Sequence, residues 1–131
     1  METFLVKTSQ RIEMLDITRQ IQKAVADSKV RNGICCVFVP HTTAAVTINE
    51  NADPNVPRDI IMKLGKIIPF DDNYRHTEGN SDAHIKASLL GSSETIILED
   101  GRLALGTWQS VFFCEFDGPR NRSVWLKFIE G

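Results

Sequence analysis

"ETIILEDGRLALGTWQSVFFCEFDGPRNRSVWLKFIEG", residues 94–131, holds three strand-like runs in succession and no helical period. "ETIILED" closes on a Gly101-Arg102 turn, "RLALGTWQSVFFCEFDG" reaches a second turn near Pro119, and "RSVWLKFIEG" follows. β-Branched and aromatic residues fill the runs while Gly and Pro punctuate them, the pattern of strands joined by tight connections. Neighbours joined this way pair antiparallel, because a short connection cannot carry a parallel crossover. In the middle run, period two puts Val111, Phe113, Glu115 and Asp117 on one face and Phe112, Cys114 and Phe116 on the other. A carboxylate in such a strand is costly to bury unless it is paired or coordinating.

Upstream, "TFLVKT" reads as a strand. Asp16 follows as an N-cap, with Ile17, Ile21 and Val25 at four-residue spacing on one helical face before Asn32-Gly33 turns the chain. "ICCVFVP" lacks polar alternation, so a strand buried on both faces is expected there. "AAVTINE" is a further strand, after a polar break at His41-Thr42-Thr43. A helix is expected from about Pro57 to Lys66, with Ile60, Ile61 and Leu64 on its apolar side. Another starts at Ser81 as its N-cap, turns Ile85 and Leu89 inward and ends at Gly91. About three helices and a largely antiparallel sheet make the class α+β, in one domain of 131 residues without repeat or long linker.

Composition narrows the function. A net charge of −2 gives no nucleic-acid footprint. No run approaches the roughly 18 apolar residues of a membrane span, and "METFLVKTSQ" turns polar too soon for a signal peptide. Neither nucleic acid nor membrane is therefore an expected partner. Cys35, Cys36 and Cys114 are odd in number and form no CxxC pair, and in a strand the first two face opposite sides. They read as small buried hydrophobes in a reducing compartment, so a cytoplasmic location is expected.

The three histidines carry the candidate chemistry. His41 stands where a strand leaves the sheet, beside Thr42 and Thr43, with Glu50 and Asn51 at the far end of the next strand. A strand end holds a side chain rigidly and still exposes it; a solvated polar residue is the plain alternative. His84 falls in the first turn of a helix, where free backbone N–H groups welcome an anion and the dipole disfavours an imidazolium. Neutral imidazole is also the form that ligates a metal. His76 lies in the loop "YRHTEGNSD", without the spacing of a zincin helix, so a three-histidine site would have to assemble in three dimensions. Arg120 and Arg122, if extended, share a face roughly 6–7 Å apart. They either pair with Glu115 or Asp117, or grip a phosphate with Glu115 as acid or base. Both readings are open at this level.

"VFVPHTTAAVTINENADPNV", "HTEGNSDAHIKASLLG" and "GTWQSVFFCEFDGPRNR" together resemble the YjbQ family, and the resemblance runs over almost the whole chain. It implies an α+β domain built round a β-sandwich-like sheet, homotrimers with polar clefts near subunit contacts, and a secondary thiamine-phosphate synthase activity. That activity joins a pyrimidine pyrophosphate to a thiazole phosphate and releases pyrophosphate. The resemblance also draws the three histidines into one site. His41, His76 and His84 would hold a divalent metal, zinc before magnesium because the donors are imidazoles. Glu115 and Asp82 would be the catalytic groups. Thr42, Thr43, Asn51, Gln109, Arg120 and Arg122 would bind the phosphate of a small-molecule substrate. Trp108 would stack on a heteroaromatic ring or pack within its hairpin. The chain shows neither a phosphate-cradling Gly-rich loop nor a DDxxD-like cluster for magnesium. The alternative function is a non-catalytic module binding a metabolite or an anion in the same pocket. A structural reading makes the polar residues a trimer-interface network.

Overall fold

The chain order is β1 (Glu2–Lys7), β2 (Glu13–Asp16), α1 (Thr18–Ser28), β3 (Gly33–Phe38), β4 (Ala44–Glu50), α2 (Asn55–Ile67), α3 (Ser81–Leu90), β5 (Ser93–Glu99), β6 (Arg102–Leu103), β7 (Gln109–Glu115) and β8 (Asn121–Glu130). A computed structural model describes residues 1–131. The strands form a five-stranded sheet, β1-β8-β3-β5-β6, and a three-stranded sheet, β2-β7-β4. Every pairing is antiparallel, and the class is α+β with three helices.

The alternation in β7 builds two cores. Val111 and Phe113 join Val37, Ile96, Val124 and Leu126 of the larger sheet, with Ile21 and Val25 of α1. Phe112, Cys114 and Phe116 face the other way and meet Leu64 of α2 and Ala83 and Ala87 of α3. The smaller sheet is therefore clad on both faces. Ile17, not Asp16, holds the N-cap position of α1; Asp16 stands one residue before it, where its Oδ1 accepts the Thr18 backbone N–H at 2.9 Å and the Thr18 hydroxyl at 2.6 Å.

Four expectations need correcting. β3 is buried on one face only: Cys35 and Val37 are sealed, while Phe38 is 38% exposed and stacks on Trp125 with ring centroids 5.7 Å apart. No layer covers that outer face, where Leu5, Ile97 and Ile129 are also exposed. α3 turns Ile85 (43% exposed) and Leu89 (64% exposed) outward. Its inner face is Ala83, Lys86 and Ala87, because small residues let the helix lie close on the sheet. Ser81 is the first residue of that helix, and Asn80 holds the N-cap position. Finally, β6 stops at Leu103 and β7 starts at Gln109, and the short β2 is a strand only through its pairing with β7. No helix is long and apolar enough to cross a membrane.

Candidate functional site

The β4–β7 register decides which polar residues can meet. Ala44 lies opposite Glu115 at one end of the pair, and Glu50 opposite Gln109 at the other. At about 3.3 Å per residue the two ends are about 20 Å apart. Asn51 and Gln109 thus sit away from the histidines. Asn51 donates to Asp16 Oδ2 at 2.6 Å, and Gln109 Oε1 accepts the Gly106 N–H at 2.8 Å. Trp108, 62% exposed, neither packs in the hairpin core nor reaches the histidine end.

At the near end, the Glu115–Arg122 pairing is the reading the fold adopts. Glu115 is fully buried; Oε1 accepts from the Thr8 hydroxyl at 2.7 Å and from Arg122 Nε at 2.9 Å. Its Oε2 accepts from Arg122 Nη2 and from the Asp117 N–H. Arg122 Nη2 also donates to Thr43 Oγ1 at 2.9 Å, so Thr43 belongs to this buried network. Burial alone would raise the Glu115 pKa, but Arg122, Thr8 and the Asp117 amide together hold it below the ordinary carboxylate range. In this arrangement the carboxylate is ionised and both of its oxygens are engaged by protein donors. Arg120 is half exposed, donating through Nε to the Asp117 backbone oxygen and through Nη2 to its Oδ2, whereas Arg122 is buried on Glu115.

Asp82 has the same character. It has no exposed surface and bonds Arg11 at 3.0 Å and Lys86 at 2.9 Å, the latter only 2% exposed. Burial pushes its pKa up, while Arg11 and Lys86 pull it down further, so the carboxylate is held ionised. Its two ion pairs tie α3 to Arg11, ahead of β2. The (i, i+4) spacing of Asp82 and Lys86 was readable in the sequence; its burial was not.

His41 Nε2 accepts the Ser123 backbone N–H at 2.9 Å. Burial, and next the nearby Arg122 charge, lower the His41 pKa, so the ring is neutral. A neutral imidazole whose Nε2 accepts carries its proton on Nδ1 and is a donor there. His41 and His84 line a cavity of about 460 Å³ together with Thr42, Ser88 and Ser92, and no acidic residue is in its lining. The two serines were missed at the sequence level; Ser88 lies one helical turn after His84, while Ser92 carries no such signal. On its other side His84 lines a second cavity, about 310 Å³, with Tyr74, Arg75, His76, Ser81 and Ile85. The His76 and His84 rings meet edge to face with centroids 5.3 Å apart.

Within one chain these donors do not fit a three-histidine zinc centre. No group of three His, Cys, Asp or Glu side chains is disposed to hold a metal ion. His41 has already spent its Nε2 lone pair on Ser123, and ligation through Nδ1 would require removing the remaining ring proton.

A family model described as "UPF0047 protein YjbQ-like" matches residues 2–131. A UPF0047 protein of Methanocaldococcus jannaschii is 56% identical over 126 residues, covering 96% of this chain and 91% of that one. The UPF0047 protein YugU of Bacillus subtilis is 45% identical, with 98% of each chain covered. Among solved structures, an uncharacterised conserved protein of the YjbQ/UPF0047 family from Clostridium acetobutylicum is 55% identical and superposes with a TM-score of 0.96, covering 98% of this chain and all of that one. A protein of unknown function from Sulfolobus solfataricus has a TM-score of 0.94 at 33% identity, over 99% of this chain and 96% of that one.

Proposed function

The chain belongs to the YjbQ-like UPF0047 family, and from that premise we propose that it is a cytoplasmic protein that binds a phosphorylated small molecule in the His41–His84 cavity. The observation that carries this reading is the His41 tautomer. With Nε2 accepting from Ser123, a neutral His41 offers a fixed N–H donor from Nδ1. Thr42, Ser88 and Ser92 add hydroxyls to the same cavity, and its lining has no carboxylate to repel an anion. Hydroxyl and imidazole donors suit phosphate oxygens, which accept several bonds at once.

The rival reading is enzymatic: a weak thiamine-phosphate synthase that uses a zinc ion. Its activity rests on the resemblance, and the specific feature in its favour is the contact of His76 with His84. It requires metal donors beyond those of a single chain. A homotrimer would supply them, and the uncovered apolar face carrying Leu5, Phe38, Trp125, Ile97 and Ile129 supports assembly, since faces of this kind mark contacts between proteins. The cytoplasmic assignment is supported by three free cysteines.

Isothermal titration with glycerol phosphate tests the binding reading. His41→Gln and Ser88→Ala should each weaken the affinity roughly tenfold, the effect of losing one hydrogen bond to a charged group. Unchanged affinity in both variants overturns it. Metal content of the untagged protein, measured beside His84→Ala, separates the rival: about one zinc per chain, lost in the variant, transfers the site to metal chemistry.

A further inference from the structure

Three cations from three segments meet away from the histidines. Lys29 stands at the C-terminal end of α1, Arg31 in the loop to β3 and Arg102 at the start of β6, and all three line a cavity of about 630 Å³. The wall is braced. The Gly101 amide donates to the Arg31 carbonyl at 2.8 Å, and Gln22 of α1 holds the Gly101 oxygen and the Leu103 amide, each at 3.0 Å. None of the three cations enters an ion pair. Two acids are near: Asp100 is in the lining, and Glu99 lies opposite Arg102 in the β5–β6 register without pairing to it. Asp27 is taken by Lys23 at 2.9 Å, and Glu130 lines a different cavity. A positive charge is thus left over here, in a chain whose net charge is −2. Asp100 and Gly101, at φ +52° and +77°, form the two-residue turn between β5 and β6, where a left-handed backbone is what the hairpin needs. Lys29, at φ +61°, is the one other non-glycine residue with positive φ, and it holds a C-cap that glycine usually takes. The fold therefore carries a cation at this rim against the preference of its backbone.

We propose that this cavity is an anion site of its own, which takes the phosphate of a small phosphomonoester between Lys29, Arg31 and Arg102. It does not depend on the histidine cavity. Ser92 lines that cavity and Asp100 this one, so the length of β5 (Ser93–Glu99), roughly 20 Å, separates them. A tetrahedral phosphate presents three terminal oxygens to cations arriving from three sides and carries nearly two charges. A planar carboxylate presents two oxygens and one charge. Ala26 and Val30 line the same cavity and give the neutral part of the ester an apolar surface. The volume is that of a small-molecule site.

The full-length ¹⁵N-labelled chain, titrated with phenyl phosphate at constant ionic strength, tests the site through its amide resonances. Saturable shifts at Lys29, Arg31 and Gly101 are expected. Arg31→Ala and Arg102→Ala, both at exposed positions, should each weaken the Kd read there roughly tenfold. Phenylacetate, a carboxylate on the same ring, should bind at least roughly tenfold more weakly than the phosphate. Inorganic phosphate should bind several-fold more weakly, since it leaves Ala26 and Val30 uncovered. Shifts that are absent or do not saturate, or a Kd unchanged in both alanine variants, overturn the site. Phenylacetate binding as tightly as phenyl phosphate overturns the assignment to phosphate, and inorganic phosphate doing so overturns the assignment to an ester. The Thr42 and Ser92 amides report the histidine cavity in the same spectra. If they alone move, this site falls and the histidine reading stands; if the Lys29 and Gly101 amides alone move, this site stands without it.

Discussion

Changing Glu115 to Gln keeps the shape of the side chain and removes its charge, which strands the Arg122 guanidinium, 5% exposed, without a counter-ion. The carboxylate has no exposed surface and accepts four protein hydrogen bonds, two of them from Arg122. Removing one partner of a buried pair costs about 3–5 kcal/mol, because the survivor stays desolvated. With about 2.1 cal/mol/K of unfolding entropy per residue, the 131 residues give about 0.28 kcal/mol/K. A loss of about 4 kcal/mol then lowers Tm by about 15 °C. Urea unfolding and thermal melts at two protein concentrations measure it and separate the fold from any assembly. A double variant, Glu115→Leu with Arg122→Met, should recover much of the loss, since both charges leave together. A loss below about 1 kcal/mol in Glu115→Gln, or a double variant no better than the single, refutes the reasoning. The pH dependence has a definite sign. The folded pKa is depressed, so this stability is fully present above about pH 4.3 and disappears as pH falls through the folded value. Glu115→Gln should flatten that acid limb.

Asp82→Asn leaves Lys86 buried and unpaired, and should cost about 3–5 kcal/mol in urea unfolding. The lowered His41 pKa contributes stability that is full above the unfolded value of about 6.5 and is lost as pH falls towards the folded one; His41→Gln should remove that dependence from melts between about pH 5 and 8. Gly33 has φ +145°, and a Cβ there would overlap the Ile129 carbonyl oxygen, so Gly33→Ala should lose at least about 2 kcal/mol by the same assay. Phe38→Glu puts a charge on the uncovered sheet face; light scattering should report a larger species for the parent protein and the 14.7 kDa chain for the variant.

The β7 alternation was legible because both of its faces are apolar, so period two alone separates Val111 and Phe113 from Phe112 and Cys114. The orientation of α3 was not legible. Ile85 and Leu89 form the apolar (i, i+4) pair, but the helix seats through Ala83 and Ala87 and buries Lys86 against Asp82, a choice made by close approach and ion pairing. β3 misled for a related reason: its outer face is as apolar as its core face, so apolarity alone does not tell which one is covered. In the site, His41 at a strand end and His84 in the first helical turns were readable from element boundaries. Which arginine meets which acid depends on the turn between β7 and β8, and the separation of Gln109 from Glu115 depends on strand register. Neither is encoded in residue type.

Because β7 stands between two cores, the molecule has two tiers of local stability. The inner core joins fifteen buried residues of both sheets and α1, the outer one seven beneath α2 and α3. Cooperative units with less buried apolar surface open at lower free energy than the whole molecule. Amide hydrogens of α3 should therefore exchange through excursions that leave β3, β5 and β8 protected. His84 rides on that looser tier, so the walls of the two cavities it lines can breathe with the outer helices while the inner sheets stay folded.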